Sequence, residues 1–279
     1  MSSVSVLIPT YNRAATLPHA LASAMTQSRP PDEIIVIDDG SQDDTGPLIK
    51  QHYPHVVYLK QANRGVSAAR NLGIQHASGE WIALLDSDDQ WLPEKLETQR
   101  ALLAQHPQHK LVHSDEIWIR NGVRVNPMKK HAKKGGWIFQ HCLPMCAISP
   151  SAAMLHRSLF DEIGMFDESL PACEDYDLWL RITARQPVLY CETALIKKFG
   201  GHEDQLSRQH WGMDRFRIQA LDNILRSNSL NQDNYLAALN MLLRKTAILL
   251  KGAYKHHNQA VIKHFEPLLR HWTEVKNAT

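Results

Sequence analysis

Four short apolar runs, Ser5–Ile8, Glu33–Ile37, Val56–Leu59 and Trp81–Leu85, punctuate the N-terminal part of the chain. Runs of four or five β-favouring residues bounded by proline, glycine or acids read as strands buried on both faces. A strand that returns to its sheet through an intervening helix lies parallel to the first. The alternation therefore predicts an α/β architecture, a mostly parallel sheet flanked by helices. Two of the runs end in acids, Asp38-Asp39-Gly40-Ser41 and Asp86-Ser87-Asp88-Asp89. Open sheets of this kind gather ligands beyond the carboxyl ends of their strands, which puts both acidic clusters on the ligand-binding edge.

The remaining organisation follows from spacing. Asn12 is expected to cap a helix running over Leu17, Leu21 and Met25, with further helices at about Val66–Ala77, Pro93–Gln105 and Glu174–Ala184. Leu111–Ile119 and Val123–Val125 flank Asn121-Gly122, a hairpin signal. Strands are predicted near Ala152–His156 and Thr193–Phe199. The basic, glycine-bearing stretch Met128–Gly136 reads as a mobile loop over the site. Beyond Gly201, Trp211–Arg226, Tyr235–Tyr254 and Asn258–Trp272 all have helical spacing. In the middle one, Leu236, Leu239, Leu243 and Leu250 share a side, and Arg244, Lys245, Lys251 and Lys255 lie elsewhere. Such a helix is expected to pack on the α/β body or on a second copy in a homodimer. Its basic surface is also a candidate peripheral contact for anionic lipid.

Charge separates the two regions. The chain carries 31 Lys and Arg against 29 Asp and Glu. Residues 1–196 hold 18 basic and 22 acidic side chains, and residues 197–279 hold 13 and 7. This balance argues against a nucleic-acid binder, which would need a strongly basic face. Cys142, Cys146, Cys173 and Cys191 form no C-x-x-C pair, so free thiols in a reducing, cytoplasmic setting are expected. Neither a signal peptide nor a membrane span is apparent, which leaves a soluble protein or one peripheral at the inner face of the membrane.

The residues after the first strand are Pro9-Thr10-Tyr11-Asn12, with neither G-x-G-x-x-G nor G-x-x-x-x-G-K, so a dinucleotide-binding dehydrogenase and a P-loop enzyme are disfavoured. Asp86-Ser87-Asp88 places alternate carboxylates at a sheet edge, where a hard cation such as Mg²⁺ or Mn²⁺ would neutralise them. A solvated turn capping the next helix is the plainer alternative. Glu174-Asp175 likewise opens a helix, where acids are favoured by the dipole alone. Tyr11 could stack on a nucleobase or be an ordinary half-buried tyrosine.

Taken together, Ser5–Arg13 (SVLIPTYNR), Ile35–Ser41 (IVIDDGS), Asn63–Asn71 (NRGVSAARN), Gly79–Asp89 (GEWIALLDSDD) and Glu174-Asp175 resemble the family 2 glycosyltransferases of the GT-A fold, in consistent order over about residues 3–200. The resemblance implies a bacterial, non-processive enzyme that uses a nucleoside-diphosphate sugar, a divalent metal (Mn²⁺ or Mg²⁺) and a glycan or lipid-linked acceptor. It implies a catalytic domain at 1–200, with a nucleotide-sugar half at 1–115 and an acceptor-side half at 116–200, followed by a helical C-terminal extension at 201–279. Carried over residue by residue, Pro9, Thr10, Tyr11 and Arg13 line the nucleotide-sugar pocket with Asp39 on the base and Arg70 nearby. Asp86 reaches the ribose, and Asp88 holds the metal with His202 as a second donor-site residue. Asp175 is the general base, and Glu174 orients it or the acceptor. Gln205-Leu-Ser-Arg208 echoes the Gln-x-x-Arg-Trp signature of processive synthases, but Gln209 replaces the tryptophan. Two alternatives stand: a sugar nucleotidyltransferase, against which the poorly basic Pro9–Arg13 counts, and a degenerate nucleotide-sugar-binding scaffold.

Overall fold

The computed structural model describes residues 2–201 and 210–278. Among these residues, one nine-stranded sheet has the order β3-β2-β1-β4-β8-β6-β9-β5, with β7 paired to β6 off this path. Its first half comprises β1 (Val4–Thr10), β2 (Glu33–Asp38), β3 (Val57–Lys60) and β4 (Trp81–Leu84), all parallel as the alternation predicts. The crossovers are α1 (Leu17–Met25), α2 (Thr45–His52) and α3 (Val66–His76).

Strand periodicity divides the core. Val4, Val6 and Ile8 of β1 pack with Leu17 and Leu21 of α1, and Leu7 packs with Ile35, Ile37 and Ala69 on the α3 side. Each such fully buried aliphatic side chain contributes about 1.5–3 kcal/mol relative to exposure. This double coverage is why the runs are apolar throughout rather than alternating.

The second half of the sheet is mixed. β8 (Met154–His156) lies antiparallel between β4 and β6 (Leu111–Arg120), whereas β9 (Leu189–Gly200) runs parallel to β6 with a bulge at Ser114–Glu116. The two-residue β5 (Gln90–Trp91) closes the far edge against β9. β6 and β7 (Val123–Val125) form the expected hairpin, and Asn121 and Gly122 both adopt the positive φ that its turn requires.

The remaining helices among the described residues are α4 (Lys95–Gln105), α5 (Phe139–Cys142), α6 (Ser158–Ile163), α7 (Glu174–Thr183), α8 (Asp214–Arg226), α9 (Gln232–Lys255) and α10 (Gln259–Ala278). Helix α9 packs on α8, α10 and α5, and α8 packs on α7, so the C-terminal helices buttress the α/β body. No helix among the described residues is long and apolar enough to cross a membrane.

Several expectations are corrected. Asn12 does not cap α1, whose N-cap is Thr16; Asn12 sits at φ 52° and its Oδ1 accepts the Gln42 N–H at 2.8 Å, tying two loops of the ligand edge together. Lys245 is not on an open basic face. It is buried, with Nζ 2.9 Å from Asp214 Oδ1 and 3.0 Å from the Pro144 carbonyl. The basic stretch Met128–Gly136 is not a free loop over the site, because its polar groups bond to the body beside it. Lys133 Nζ pairs with Glu116 at 3.1 Å, His113 Nε2 lies 2.9 Å from the Lys134 carbonyl, and Gly136 bridges to Val188.

Candidate active site

The carboxyl ends of β1, β2 and β4, the N-terminus of α3 and the start of α7 surround a cavity of about 960 Å³. The loop after β1 supplies Pro9, Thr10, Tyr11 and Arg13 to its wall. Tyr11 is 45% exposed at the mouth, while Thr10 is buried and its Oγ1 has no hydrogen-bond partner among the described residues. After β2 the two adjacent aspartates differ. Asp38 faces inward, accepting from the Ser41 N–H and the Tyr58 hydroxyl. Asp39 borders the cavity, its Oδ1 accepting from Gln61 and the Arg64 N–H and its Oδ2 from the Gly65 N–H at 2.8 Å. Gly40 between these loops has φ +84°, and a Cβ there would lie 2.8 Å from the Asn63 backbone nitrogen, so glycine is required.

Arg70 joins the two sides of the cavity. It projects from α3, is 3% exposed, and reaches Glu174 Oε1 with Nη1 at 2.5 Å and Asp86 Oδ1 with Nη2 at 2.7 Å. Burial works against its charge, but Asp86 and Glu174 hold the guanidinium firmly protonated. The Phe166 ring covers it at 5.2 Å. The segment carrying Phe166 is strapped to α3 by paired hydrogen bonds with Asn71, and Arg64 Nη2 meets Glu168 at 2.7 Å.

In the acidic loop after β4, Asp89 is locked by the Ser151 hydroxyl at 2.6 Å and the Phe199 N–H at 3.0 Å. Burial pushes its carboxyl well above the usual range; Lys198 opposes this and the Asp88 and Asp86 charges add to it. Asp88 borders the cavity. No three His, Cys, Asp or Glu side chains among the described residues form a ready cage for a metal. The donor set nonetheless fits Mg²⁺ or Mn²⁺, which bind through one or two carboxylates and complete their shell with substrate phosphates and water.

At the opposite wall, Cys173 precedes α7 in the left-handed region, φ 64°, an uncommon conformation for a non-glycine residue. It turns the chain so that the first helical residues border the cavity. Burial and the neighbouring Asp175 charge raise the Glu174 carboxyl to about 7 against the pull of Arg70. Asp175 is half-buried, with Oδ1 accepting the Tyr176 N–H at 2.7 Å and Oδ2 facing the Cys146 thiol at 3.0 Å. Asp177, also in this first turn, points away and pairs with Arg181.

Thus Pro9, Thr10, Tyr11, Arg13, Asp39, Arg70, Asp86, Asp88, Glu174 and Asp175 converge on one cavity. His202 and Gln205–Gln209 lie outside the described residues. Sequence reasoning missed Lys198, which lines the same cavity from β9 and donates to Ser149 Oγ at 2.9 Å. Burial disfavours its charge, yet Glu116, Asp89 and Asp86 keep it protonated. Glu116, which burial alone would raise, is pulled down to about 2 by Lys133 and Lys198. Lys197-Lys198 on an apolar strand was the available signal.

A GT-A sheet carrying acids at the ends of β2 and β4 and a further acidic pair across the cavity defines a glycosyltransferase. The family model described as Glycosyl transferase family 2 matches residues 5–164, and the chain belongs to that family. An uncharacterized glycosyltransferase of Rickettsia prowazekii is 29% identical over 261 residues, covering 90% of this chain and 76% of the relative. One of Rickettsia typhi is 32% identical over 205 residues, 70% of this chain and 63% of the relative. A putative teichuronic acid biosynthesis glycosyltransferase of Bacillus subtilis is 41% identical over 101 residues, covering 34% and 40% of the two chains. The chain therefore spans between two fifths and three quarters of these relatives. Among solved structures, S. aureus TarS 1–349 in complex with UDP-GlcNAc superposes with a TM-score of 0.68 at 20% identity, over 87% of this chain and 71% of that one, a likeness of fold.

Proposed function

We propose that this chain transfers one sugar from a UDP-linked or similar nucleoside-diphosphate sugar to a hydroxyl of a glycan or lipid-linked acceptor, with inversion at the anomeric carbon, in cell-surface polysaccharide synthesis. The observation that carries the reading is the two-ended cavity: the acidic loop with Asp88 stands on one side, half-buried Asp175 on the other, and Arg70 braces Asp86 and Glu174 between them. The TarS complex with UDP-GlcNAc and the B. subtilis relative's name support the donor class and the pathway class.

In this reading residues 1–115 bind the donor and residues 116–200 face the acceptor, while helices α8, α9 and α10 of the C-terminal extension buttress the second half. Tyr11 stacks on the base. Asp39 Oδ2, with one donor from Gly65, keeps a lone pair for a base N–H, and the unpartnered Thr10 hydroxyl bonds the nucleoside. Arg13 lies along the diphosphate path. Asp86 Oδ2 takes a ribose hydroxyl while Arg70 holds Oδ1. Asp88 would hold the cation, with His202 its proposed companion; when bound, Mg²⁺ or Mn²⁺ stabilises negative charge on the departing diphosphate. Asp175 accepts the acceptor hydroxyl's proton as that oxygen bonds to the anomeric carbon. The bond from that carbon to the diphosphate oxygen breaks, and its electron pair leaves on the nucleoside diphosphate.

A panel of nucleotide-sugars with Mn²⁺ or Mg²⁺, scored by thermal shift and donor hydrolysis, tests the reading. One nucleotide-sugar is expected to stabilise the protein and to be slowly hydrolysed. Stabilisation without any hydrolysis or transfer would favour a degenerate binding scaffold, and no response to any donor would overturn the proposal.

A further inference from the structure

Cys146 lies in the segment between α5 and β8, half-buried, with its Sγ 3.0 Å from Asp175 Oδ2 and 3.2 Å from the Ile148 carbonyl. A thiol has one proton, and a carboxylate oxygen is a stronger acceptor than a neutral carbonyl. The other carboxylate oxygen is already fixed by the Tyr176 N–H. The two contacts together leave Asp175 little rotameric freedom where it borders the cavity.

The segment that presents this thiol is pinned by four separate parts of the molecule. The Tyr176 hydroxyl donates to the Leu143 carbonyl at 2.7 Å, and Lys245 Nζ of α9 donates to the Pro144 carbonyl at 3.0 Å. Lys133 Nζ donates to the Ala147 carbonyl at 2.9 Å, and Lys198 Nζ donates to Ser149 Oγ. The sulfur is therefore delivered to the carboxylate by a fixed support.

We infer that Cys146 is a positioning residue, whose thiol proton holds the Asp175 carboxylate in the orientation that receives the acceptor's proton. The inference rests on the proposed role of Asp175 as the base. Burial, then the adjacent Asp175 charge, keeps the thiol protonated and able to donate, against the weaker opposing pull of Lys198 and Lys133. On the α7 side, the charged and titratable groups that interact with Asp175 are Glu174, Arg70 and Cys173.

The test compares Cys146→Ala, Cys146→Ser and Asp175→Asn, using the nucleotide-sugar selected by thermal shift and water as acceptor. Cys146→Ala should lower kcat about 3- to 10-fold, the equivalent of one modest hydrogen bond, with the donor KM unchanged. Cys146→Ser, which keeps a proton donor, should return kcat to within about twofold of wild type. A sulfur that only fills space would tolerate alanine at least as well as serine, because alanine buries no hydroxyl. Alanine at the wild-type rate, or serine slower than alanine, overturns the inference. Full turnover by Asp175→Asn would instead overturn the base assignment. The contact itself is read without turnover, by iodoacetamide labelling of Cys146 followed by peptide mass. Labelling at pH 8 should be several-fold faster in Asp175→Asn, where the charge that suppresses the thiolate is gone. An unchanged rate means the thiol does not engage Asp175.

Discussion

The acidic loop after β4 and the first turn of α7 face each other across one cavity, and each pairs a carboxylate held by the protein with one facing the ligand space. In the loop, Asp89 is taken up by Ser151 and the Phe199 N–H, and Asp86 by Arg70, next to cavity-bordering Asp88. At the helix, buried Glu174 is engaged by the other arm of Arg70, next to half-buried Asp175 with its single weak thiol donor and a neighbouring N–H. The difference is one of grouping. Three carboxyl groups, Asp86, Asp88 and Asp89, crowd the loop beside the cavity, a set suited to a cation, whereas the helix presents half-buried Asp175 next to buried Glu174, a site suited to a proton. A carboxylate committed to structure should change stability when removed, and one committed to the ligand should change binding or turnover.

The largest effect expected from this division is on turnover. Asp175→Asn should lower kcat by about 10²- to 10⁴-fold, the usual contribution of a general base, with a melting temperature close to wild type. Steady-state rates and melting curves on the same preparation check both halves.

Arg70→Met should instead unfold the comparison itself. It leaves Glu174 and Asp86 without their buried partner and should destabilise the protein by about 3–5 kcal/mol, measured by urea denaturation. A loss under about 1 kcal/mol would mean the two walls are not braced through Arg70.

Glu174→Gln probes the buried member of its pair through pH. The folded-state value near 7 lies above the ordinary 4.5, so the stability Glu174 contributes is fully present below about pH 4.5 and is lost as pH rises through 7. Relative to Glu174→Gln, the wild type should therefore lose on the order of 3 kcal/mol between these limits. Parallel stability curves for the two proteins would show that Glu174 does not titrate in that window.

The smallest effect is a control behind the loop. Lys95 is fully buried, its Nζ without a hydrogen-bond partner among the described residues and 4.0 Å from the centre of the Trp91 ring, whose Nε1 donates to the Ser151 carbonyl. Burial lowers its pKa well below 10.5, so its contribution is present above pH 10.5 and is lost as pH falls toward the folded value. Lys95→Met should raise stability at pH 7 by about 1 kcal/mol, remove that slope and leave donor binding unchanged.

The parallel half of the sheet was legible because β1, β2 and β4 are buried on both faces and their apolar runs end abruptly in acids. β5 was not, since two residues carry no periodicity, and β9 begins at Leu189, four residues before the strand read from sequence. Helix α2 was hidden by Gly46 and Pro47 in its first turn. Candidate site residues near strand ends were readable from motif and place. The bracing by Arg70, the approach of Cys146 to Asp175 and the chain from Lys133 through Glu116 to Lys198 were not, because they join side chains that only the tertiary fold brings together. Lys245 makes the same point: on a helical wheel it reads as solvated, and the packing of α9 against Asp214 and the Pro144 carbonyl buries it.

The most direct measurement of the division is calorimetric titration of the selected nucleotide-sugar, with Mn²⁺, into wild type, Asp88→Asn and Asp175→Asn. The account predicts a Kd within about twofold of wild type for Asp175→Asn and at least about tenfold weaker binding for Asp88→Asn. Unimpaired binding by Asp88→Asn, or lost binding by Asp175→Asn, would contradict it.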